Sequence, residues 1–99
     1  MATKRGKPVD RRLGRTVRVD GQDVYLTPAE HRLWEVLRGQ PGRTFTRAEL
    51  AAHVMPDAVV LERTIDVHIR SLRHKLGRAA SMIETVYRVG YRSASAPTS

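Results

Sequence analysis

The segment from Glu62 to Gly77, which reads ERTIDVHIRSLRHKLG, decides the fold of this chain. Four of its apolar residues are separated by four, three and four positions, a spacing that puts side chains on one face of an α-helix. These residues, the apolar stripe, are Ile65, Ile69, Leu72 and Leu76. Glycine commonly follows the last residue of a helix, so Gly77 is the predicted stop. The segment therefore predicts a helix that buries the stripe against a core.

The face opposite the apolar stripe is basic. At about 100° per residue, this face carries Arg63, Val67, Arg70, His74 and Arg78, with Ser71 to one side. One flank carries Asp66 and Arg73, and the other carries Thr64, His68 and Lys75. The major groove of B-DNA admits an α-helix, and arginine and valine can contact guanine and the thymine methyl group there. We therefore predict that this face reads bases while the flanks contact phosphates.

An ordinary amphipathic helix is the alternative interpretation of the same pattern. Helices of globular proteins routinely present a charged face to solvent. In that case Asp66 and Arg70 would form a supporting ion pair four residues apart. The remaining elements of the chain have to separate the two interpretations.

Two further helices are predicted upstream, and each begins with a capping box. Thr27-Pro28-Ala29-Glu30 combines a capping threonine, a proline at the first helical position and a glutamate that reaches back to the cap. Thr46-Arg47-Ala48-Glu49 repeats this arrangement, with Phe45 and Leu50 placed for a hydrophobic staple. The second helix must end before Pro56, because proline cannot continue it. The first helix has an apolar face of Leu33, Trp34, Val36 and Leu37.

A β-hairpin is predicted before the first helix. Val17–Val19 and Val24–Leu26 alternate apolar and polar residues around Asp20-Gly21, and glycine tolerates the positive φ of a tight hairpin turn. The polar residues before Val24 favour a loop slightly longer than two residues. A further short strand is expected over Arg11–Arg15.

A second hairpin is predicted after the third helix, over Met82–Val86 and Val89–Arg92. Its turn region carries Tyr87, Arg88, Gly90 and Arg92. A ribbon with arginine at its tip can enter a minor groove, where the negative potential attracts arginine. This hairpin therefore supports the nucleic-acid interpretation of the third helix.

The predicted fold class is α+β: a winged helix-turn-helix with a three-helix core, a short N-terminal antiparallel sheet and a C-terminal β-hairpin wing. The 99 residues suffice for one core. We expect this domain over residues 9–92, a flexible basic arm over residues 1–8 and a disordered tail over residues 93–99.

The composition narrows the classes of function. A net charge of +8 attracts polyanions, of which nucleic acid is the commonest. The absence of cysteine excludes disulfides and thiolate metal sites. The chain shows neither a signal peptide nor a stretch of membrane-spanning length. We therefore expect a cytoplasmic protein that uses no cofactor and does not bind a membrane.

An enzymatic function is not expected. The sequence has no glycine-rich phosphate loop followed by lysine and no recognisable serine, histidine and aspartate constellation. His68 and His74 point to different sides of their helix, so a shared metal ion is not expected. The other histidines, His31 and His53, suggest no site either.

Four segments, in this order, resemble the effector domains of OmpR/PhoB-type response regulators. They are Leu26–Glu30, Pro41–Leu50, Glu62–Gly77 and Ile83–Arg92. The resemblance implies a winged helix that is a monomer in solution, binds direct-repeat promoter sites head to tail, and contacts RNA polymerase through residues 55–61. No receiver domain is expected within these residues. The chain is therefore either the effector half of a longer protein or a free-standing domain.

The resemblance also implies roles for individual residues. Those expected near bases are Thr64, Asp66, Val67 and Ser71. Those expected to contact or support phosphates are Arg63, His68, Arg70 and Arg73. Those expected to touch the DNA backbone from the wing are Thr85 and Tyr91. The full set of candidate DNA-binding residues is Arg47, Arg63, Thr64, Asp66, Val67, His68, Arg70, Ser71, Arg73, His74, Lys75, Thr85, Tyr87, Arg88 and Tyr91.

The chain departs from the family pattern at four places. One is the N-terminal sheet, which usually has four strands in the family, whereas this chain has room for two or three. Ser71 stands where relatives often carry a base-reading arginine, so a different preferred sequence is expected. Tyr87-Arg88 replaces a basic residue followed by glycine, which makes Arg88 the candidate for the minor groove. The loop over residues 55–61 lacks the common tryptophan-glycine pair, and its segment Ala58–Leu61 is apolar.

That apolar segment supports a rival function, a winged helix that binds proteins and not DNA. In the alternative, the segment has only a structural role, and Ala58–Leu61 closes the core beneath the third helix. The two functions differ in their response to salt, because only phosphate neutralisation releases counterions.

Overall fold

A computed structural model describes residues 14–54 and 62–94 of the chain. The elements are β1 Arg15–Val19, β2 Gln22–Leu26, α1 Pro28–Gly39, β3 Thr44–Thr46, α2 Arg47–Val54, α3 Glu62–Leu76, a 3-10 helix Gly77–Met82, β4 Ile83–Val86 and β5 Gly90–Ser93. This order confirms the predicted winged helix-turn-helix. The predicted arm over residues 1–8, the loop over residues 55–61 and most of the predicted tail lie outside the described residues.

The N-terminal hairpin corrects one prediction. Val19 pairs with Gln22, so only Asp20 and Gly21 form the loop. Both have positive φ, 51° and 77°, as a type I′ turn requires. The predicted longer loop is therefore wrong, because the polar Gln22 and Asp23 belong to β2. Of the predicted strand over residues 11–15, only Arg15 is in a described strand, as the first residue of β1.

Both capping boxes are present. The Thr27 hydroxyl accepts from the Glu30 amide at 3.2 Å, and the Thr27 amide donates to the Glu30 carboxylate at 2.9 Å. Thr46 and Glu49 exchange the equivalent bonds at 3.0 and 2.8 Å. These reciprocal bonds satisfy backbone N–H groups that have no partner within the helix.

The C-terminal sheet has a strand that the sequence analysis missed. The strand order is β3-β5-β4, all antiparallel, so β3 extends the predicted two-stranded wing. Phe45 and Tyr91 are directly opposite each other in β3 and β5. A Cβ at Gly90 would lie 1.9 Å from the Phe45 carbonyl oxygen, so this close pairing needs glycine.

The end of the sheet corrects the predicted start of the tail. Ser93 is the last residue of β5 and is buried. Its carbonyl accepts from the Gly42 amide at 2.9 Å, and the Ala94 amide donates to the Met82 carbonyl at 2.7 Å. Hydrogen bonds thus hold the chain in place for two residues past the predicted boundary at residue 92.

The core lies among the three helices and the C-terminal sheet. The apolar stripe of α3 is buried as predicted, with residue exposures of 5% or less. It packs in one cluster with residues of the other elements, including Leu26, Leu33, Trp34, Leu37, Phe45 and Leu50. Because the stripe is buried, the opposite face of α3 must point away from the core. None of the described helices is long and apolar enough to cross a membrane.

Candidate nucleic-acid interface

The outer face of α3 is open to solvent. We define this exposed face by four residues that the sequence analysis placed opposite the stripe. They are Arg63, Val67, Arg70 and His74, all of which are exposed. Val67 is 63% exposed although it is apolar. Arg78, which was predicted to continue the face, lies beyond the end of α3 in the 3-10 helix.

Asp66, on one flank of α3, is bound within the protein. Its carboxylate accepts from Arg47 Nε of α2 at 2.8 Å and from the Tyr91 hydroxyl of β5 at 2.5 Å. Burial alone would raise the pKa of Asp66, but these hydrogen bonds outweigh burial and the pKa is lowered. The ion pair of Asp66 is therefore with Arg47, and the i,i+4 pair with Arg70 considered above is wrong.

Tyr91 is buried, and two arginines flank its ring. The Arg47 and Arg73 guanidinium carbons lie 5.7 and 5.5 Å from the ring centroid. Burial, followed by the bond to Asp66, raises the pKa of the Tyr91 phenol. Both effects keep the phenol protonated, so it remains a hydrogen-bond donor to Asp66.

Arg73 joins the same flank of α3 to β4. One of its terminal nitrogens donates to the Ile83 carbonyl at 2.9 Å and to the Thr85 hydroxyl at 2.8 Å. Thr85 and Tyr91 are paired across β4 and β5. Arg73 therefore hydrogen-bonds to β4 and holds its guanidinium near the Tyr91 ring of β5 from one helix position.

The other flank of α3 is tied to α1 through Glu30. Its carboxylate accepts from the Ser71 hydroxyl at 2.5 Å and from Lys75 Nζ at 2.7 Å. The Glu30 side chain is only 3% exposed. Burial opposes ionisation of Glu30, but the bonds from Lys75, Ser71 and Thr27 together lower its pKa. The sequence showed Glu30 only as a capping residue, because its partners lie 41 and 45 positions away.

The wing presents its tip to solvent. Tyr87 is 79% exposed, and the Arg88 guanidinium lies 5.3 Å from its ring centroid. The Val89 amide donates to the Val86 carbonyl at 2.9 Å, which closes the turn. Arg92, predicted to lie near this turn, is instead paired with Glu84 in the sheet, with a 2.7 Å ion pair.

All the candidate residues except Thr64 and His68 therefore fall into two groups. The exposed face of α3 and the wing tip offer side chains that point to solvent. Residues with hydrogen bonds inside the protein form the second group: Arg47, Asp66, Ser71, Arg73, Lys75, Thr85 and Tyr91. Thr64 and His68 are half-buried on the flank of α3 that also carries Lys75.

A separate groove of about 450 Å³ lies between the start of β1 and α1. It is lined by Gly14, Arg15, Pro28, His31, Arg32 and Glu35, none of which is a candidate DNA contact. Small-molecule sites are mostly lined by apolar and aromatic side chains, whereas charged or polar side chains supply four of the six residues that line this groove. Among the described residues, no three potential ligands from histidine, aspartate and glutamate are grouped to hold a metal ion.

Comparison with known proteins gives consistent matches. The family model described as "Transcriptional regulatory protein, C terminal" matches residues 21–93. The transcriptional regulatory protein BaeR of Escherichia coli O6:H1 is 47% identical over 76 residues, which cover 73% of this chain and 32% of BaeR. The chain therefore spans about a third of the length of this curated relative.

Two solved structures share the fold. The DNA-binding domain of the response regulator AdeR, in complex with an intercistronic region, is 35% identical with a TM-score of 0.72. That match covers 82% of this chain and 86% of the AdeR chain. The DNA-binding domain of Klebsiella pneumoniae RstA, in complex with the RstA box, is 29% identical with a TM-score of 0.68, covering 81% and 83% of the two chains.

Proposed function

We propose that this chain, which belongs to the family of transcriptional regulatory protein C-terminal domains, binds specific sequences of double-stranded DNA as a transcriptional regulator. In this proposal α3 enters the major groove and the wing tip lies at the adjacent minor groove. DNA complexes of the AdeR and RstA domains, which share the fold, support it. Binding, and not catalysis, is then the function of the domain, and its place is the cytoplasm.

One observation carries the proposal: the exposed face of α3 combines cations with an apolar residue. Arg63 and Arg70 lie four and three positions from Val67, one on each side of it along the helix. A solvated helix face gains nothing from an aliphatic side chain that is 63% exposed. A face that reads bases gains from such a side chain, since valine can pack on the thymine methyl group beside arginine contacts to guanine.

The candidate contacts differ in their readiness to bind. The exposed face, the flanking Thr64 and His68, and the wing residues Tyr87 and Arg88 can meet DNA without giving up a hydrogen bond that the structure shows. The second group, which includes Ser71 and Lys75, would have to share or release an internal partner. We therefore propose that sequence is read mainly by the exposed face.

The longer relatives suggest wider roles. Because BaeR is about three times as long as the matched region, we propose that this chain is the effector part of a protein with a receiver domain. We further propose a monomer in solution, a head-to-tail dimer on direct repeats, and contact with RNA polymerase through residues 55–61. The rival protein-binding function depends on Ala58–Leu61, which lies outside the described residues.

Selection of bound duplexes from a random DNA pool at moderate salt tests the proposal. We expect a defined consensus, and its repeat orientation would reveal head-to-tail binding. On the selected duplex, Arg70→Ala should weaken binding by about 1–3 kcal/mol in a gel-shift titration.

Arg18→Ala is the matched control. It removes the same charge from the N-terminal hairpin, where Arg18 pairs with Asp23, and should change affinity little. Failure to enrich any sequence would contradict the proposal. Equal losses for the two variants would contradict the assignment of α3 as the reading helix.

A further inference from the structure

Two contacts attach the C-terminal hairpin to one flank of α3. At the first, the Tyr91 hydroxyl of β5 donates to Asp66 at 2.5 Å. At the second, Arg73 donates to Ile83 and Thr85 of β4 at 2.9 and 2.8 Å. Both contacts join α3 directly to the strands that carry the wing tip.

The spacing of the two contacts determines what they can fix. Asp66 and Arg73 are seven residues apart, or roughly 10 Å along the helix axis. The pairing of β5 with β3 already holds one edge of the hairpin. The two separated contacts add attachment to α3 at two places, which limits rotation of the wing about that pairing. Arg47 strengthens the first contact from α2, because its Nε donates to Asp66 at 2.8 Å.

These contacts would be partly lost if Asp66 read a base or Arg73 bound a phosphate. The Asp66 carboxylate already accepts two hydrogen bonds, and one nitrogen of Arg73 serves two acceptors in the hairpin. The resemblance to response regulators would instead place Asp66 near bases and make Arg73 a phosphate contact or a support for one. The two assignments make different predictions for the free protein.

We infer that Asp66 and Arg73 are positioning residues, which set the direction of the wing relative to the exposed face of α3. The wing tip then has its binding orientation before DNA arrives, so less conformational entropy is lost when DNA binds. The consequence for affinity rests on the proposed DNA binding. The consequence for wing geometry does not, and it can be measured without DNA.

The first experiment measures wing geometry in the free chain. The sequence has no cysteine, so Val67→Cys and Tyr87→Cys introduce the only two labelling sites, both highly exposed. Spin labels there report the distribution of distances between the exposed face and the wing tip. We expect a narrow distribution that Arg73→Lys widens, because lysine keeps the charge but lacks the planar guanidinium that lies near the Tyr91 ring while one of its nitrogens serves Ile83 and Thr85.

Arg70→Lys is the matched control, since it makes the same replacement on the exposed face of the same helix. It should leave the distribution narrow. An unchanged distribution with Arg73→Lys would overturn the inference. Should Arg73→Lys fail to fold, judged by the fluorescence of the buried Trp34, Thr85→Val and Tyr91→Phe each remove one hydroxyl of the network and should widen the distribution.

The second experiment measures coupling on the duplex obtained by selection. Arg88→Ala should lower the affinity of the parent chain about tenfold, which corresponds to 1.4 kcal/mol. In the Arg73→Lys background the same substitution should have a clearly smaller effect, because the wing is no longer directed at its groove. With Arg70→Lys the two losses should simply add.

Additive losses for Arg73→Lys and Arg88→Ala would overturn the inference while leaving the proposed function intact. If no duplex binds the parent chain, the proposed function fails. The label distances then still decide whether Asp66 and Arg73 direct the wing.

Discussion

Arg88 has a backbone conformation that side-chain-bearing residues rarely adopt. Its φ is 64°, in the left-handed region that carries a penalty of about 1–2 kcal/mol for an L-residue. It stands third in the turn closed by Val86 and Val89, a position where turns with positive φ favour glycine. Strained residues cluster at functional sites, which agrees with the proposed DNA contact at the wing tip.

Replacing Arg88 should therefore separate stability from binding. Arg88→Gly should raise the free energy of unfolding by about 0.5–1 kcal/mol, the relieved strain less the added entropy of the unfolded chain. Arg88→Ala keeps the strain and should leave stability unchanged. Both should lose affinity equally, about five- to tenfold. Thermal melts and gel shifts check this, and a glycine variant that binds like the parent would contradict a role for the side chain.

Glu30 gives the fold a defined sensitivity to acid. Its pKa in the folded chain lies below the ordinary value of 4.5, because hydrogen bonds outweigh burial. The folded state therefore binds a proton less readily than the unfolded state. The stabilisation by the ionised carboxylate is complete above that ordinary value and is lost as the pH falls through the lowered pKa.

Glu30→Gln should retain the capping geometry but lose the charge that Lys75 faces. We expect the free energy of unfolding to fall by about 1–3 kcal/mol at neutral pH. The gap between parent and variant should narrow as the pH falls below 4.5 and through the lowered pKa of Glu30, where the parent carboxylate becomes protonated. Urea titrations followed through Trp34, the single tryptophan, measure both. Glu35→Gln, on the same helix with a half-exposed side chain, is the control and should show neither effect.

At the scale of elements, α3 has one face that maintains the fold and one that is available to a ligand. Leu72, in the middle of the helix, is completely buried, whereas Val67 is 63% exposed. Leu72→Ala should lower the free energy of unfolding by about 2–5 kcal/mol through the cavity it leaves. Val67→Ala should change stability by less than about 0.5 kcal/mol while weakening DNA binding. Equal melting curves for Leu72→Ala and the parent would show that the stripe is misassigned.

The sequence predicted those elements whose defining residues lie close together along the chain. The helices were predictable because their caps and apolar spacing lie within a few residues, as at Thr27 and Glu30. β3 was missed because Thr44–Thr46 is too short for an alternating pattern and its partner, β5, lies far along the chain. The same limit applied to the site. The spacing showed the exposed face, but nothing local indicated that Asp66 binds Tyr91.

For the whole molecule, the described ion pairs leave the exposed face cationic. Carboxylates pair with Lys75, Arg47, Arg92, Arg43 and Arg18 at 2.7–3.4 Å. Among residues 14–54 and 62–94, none of these pairs uses Arg63 or Arg70. Arg63 and Arg70 thus keep unneutralised positive charge where α3 faces outward, and this favours a polyanion over an apolar protein partner.

Salt dependence tests this distribution of charge. If phosphates are the main ligands, the logarithm of the binding constant should fall linearly with the logarithm of salt concentration, by about 0.9 for each neutralised phosphate. Arg63, at the edge of the exposed face, is one of the members that the family resemblance assigns to phosphates, so Arg63→Ala should make that slope shallower by about one. Val67→Ala should lower affinity and leave the slope unchanged, because an apolar contact releases no counterions. Anisotropy titrations of the selected duplex between low and moderate salt measure both. A slope near zero would contradict phosphates as the main ligands, because their neutralisation must release counterions.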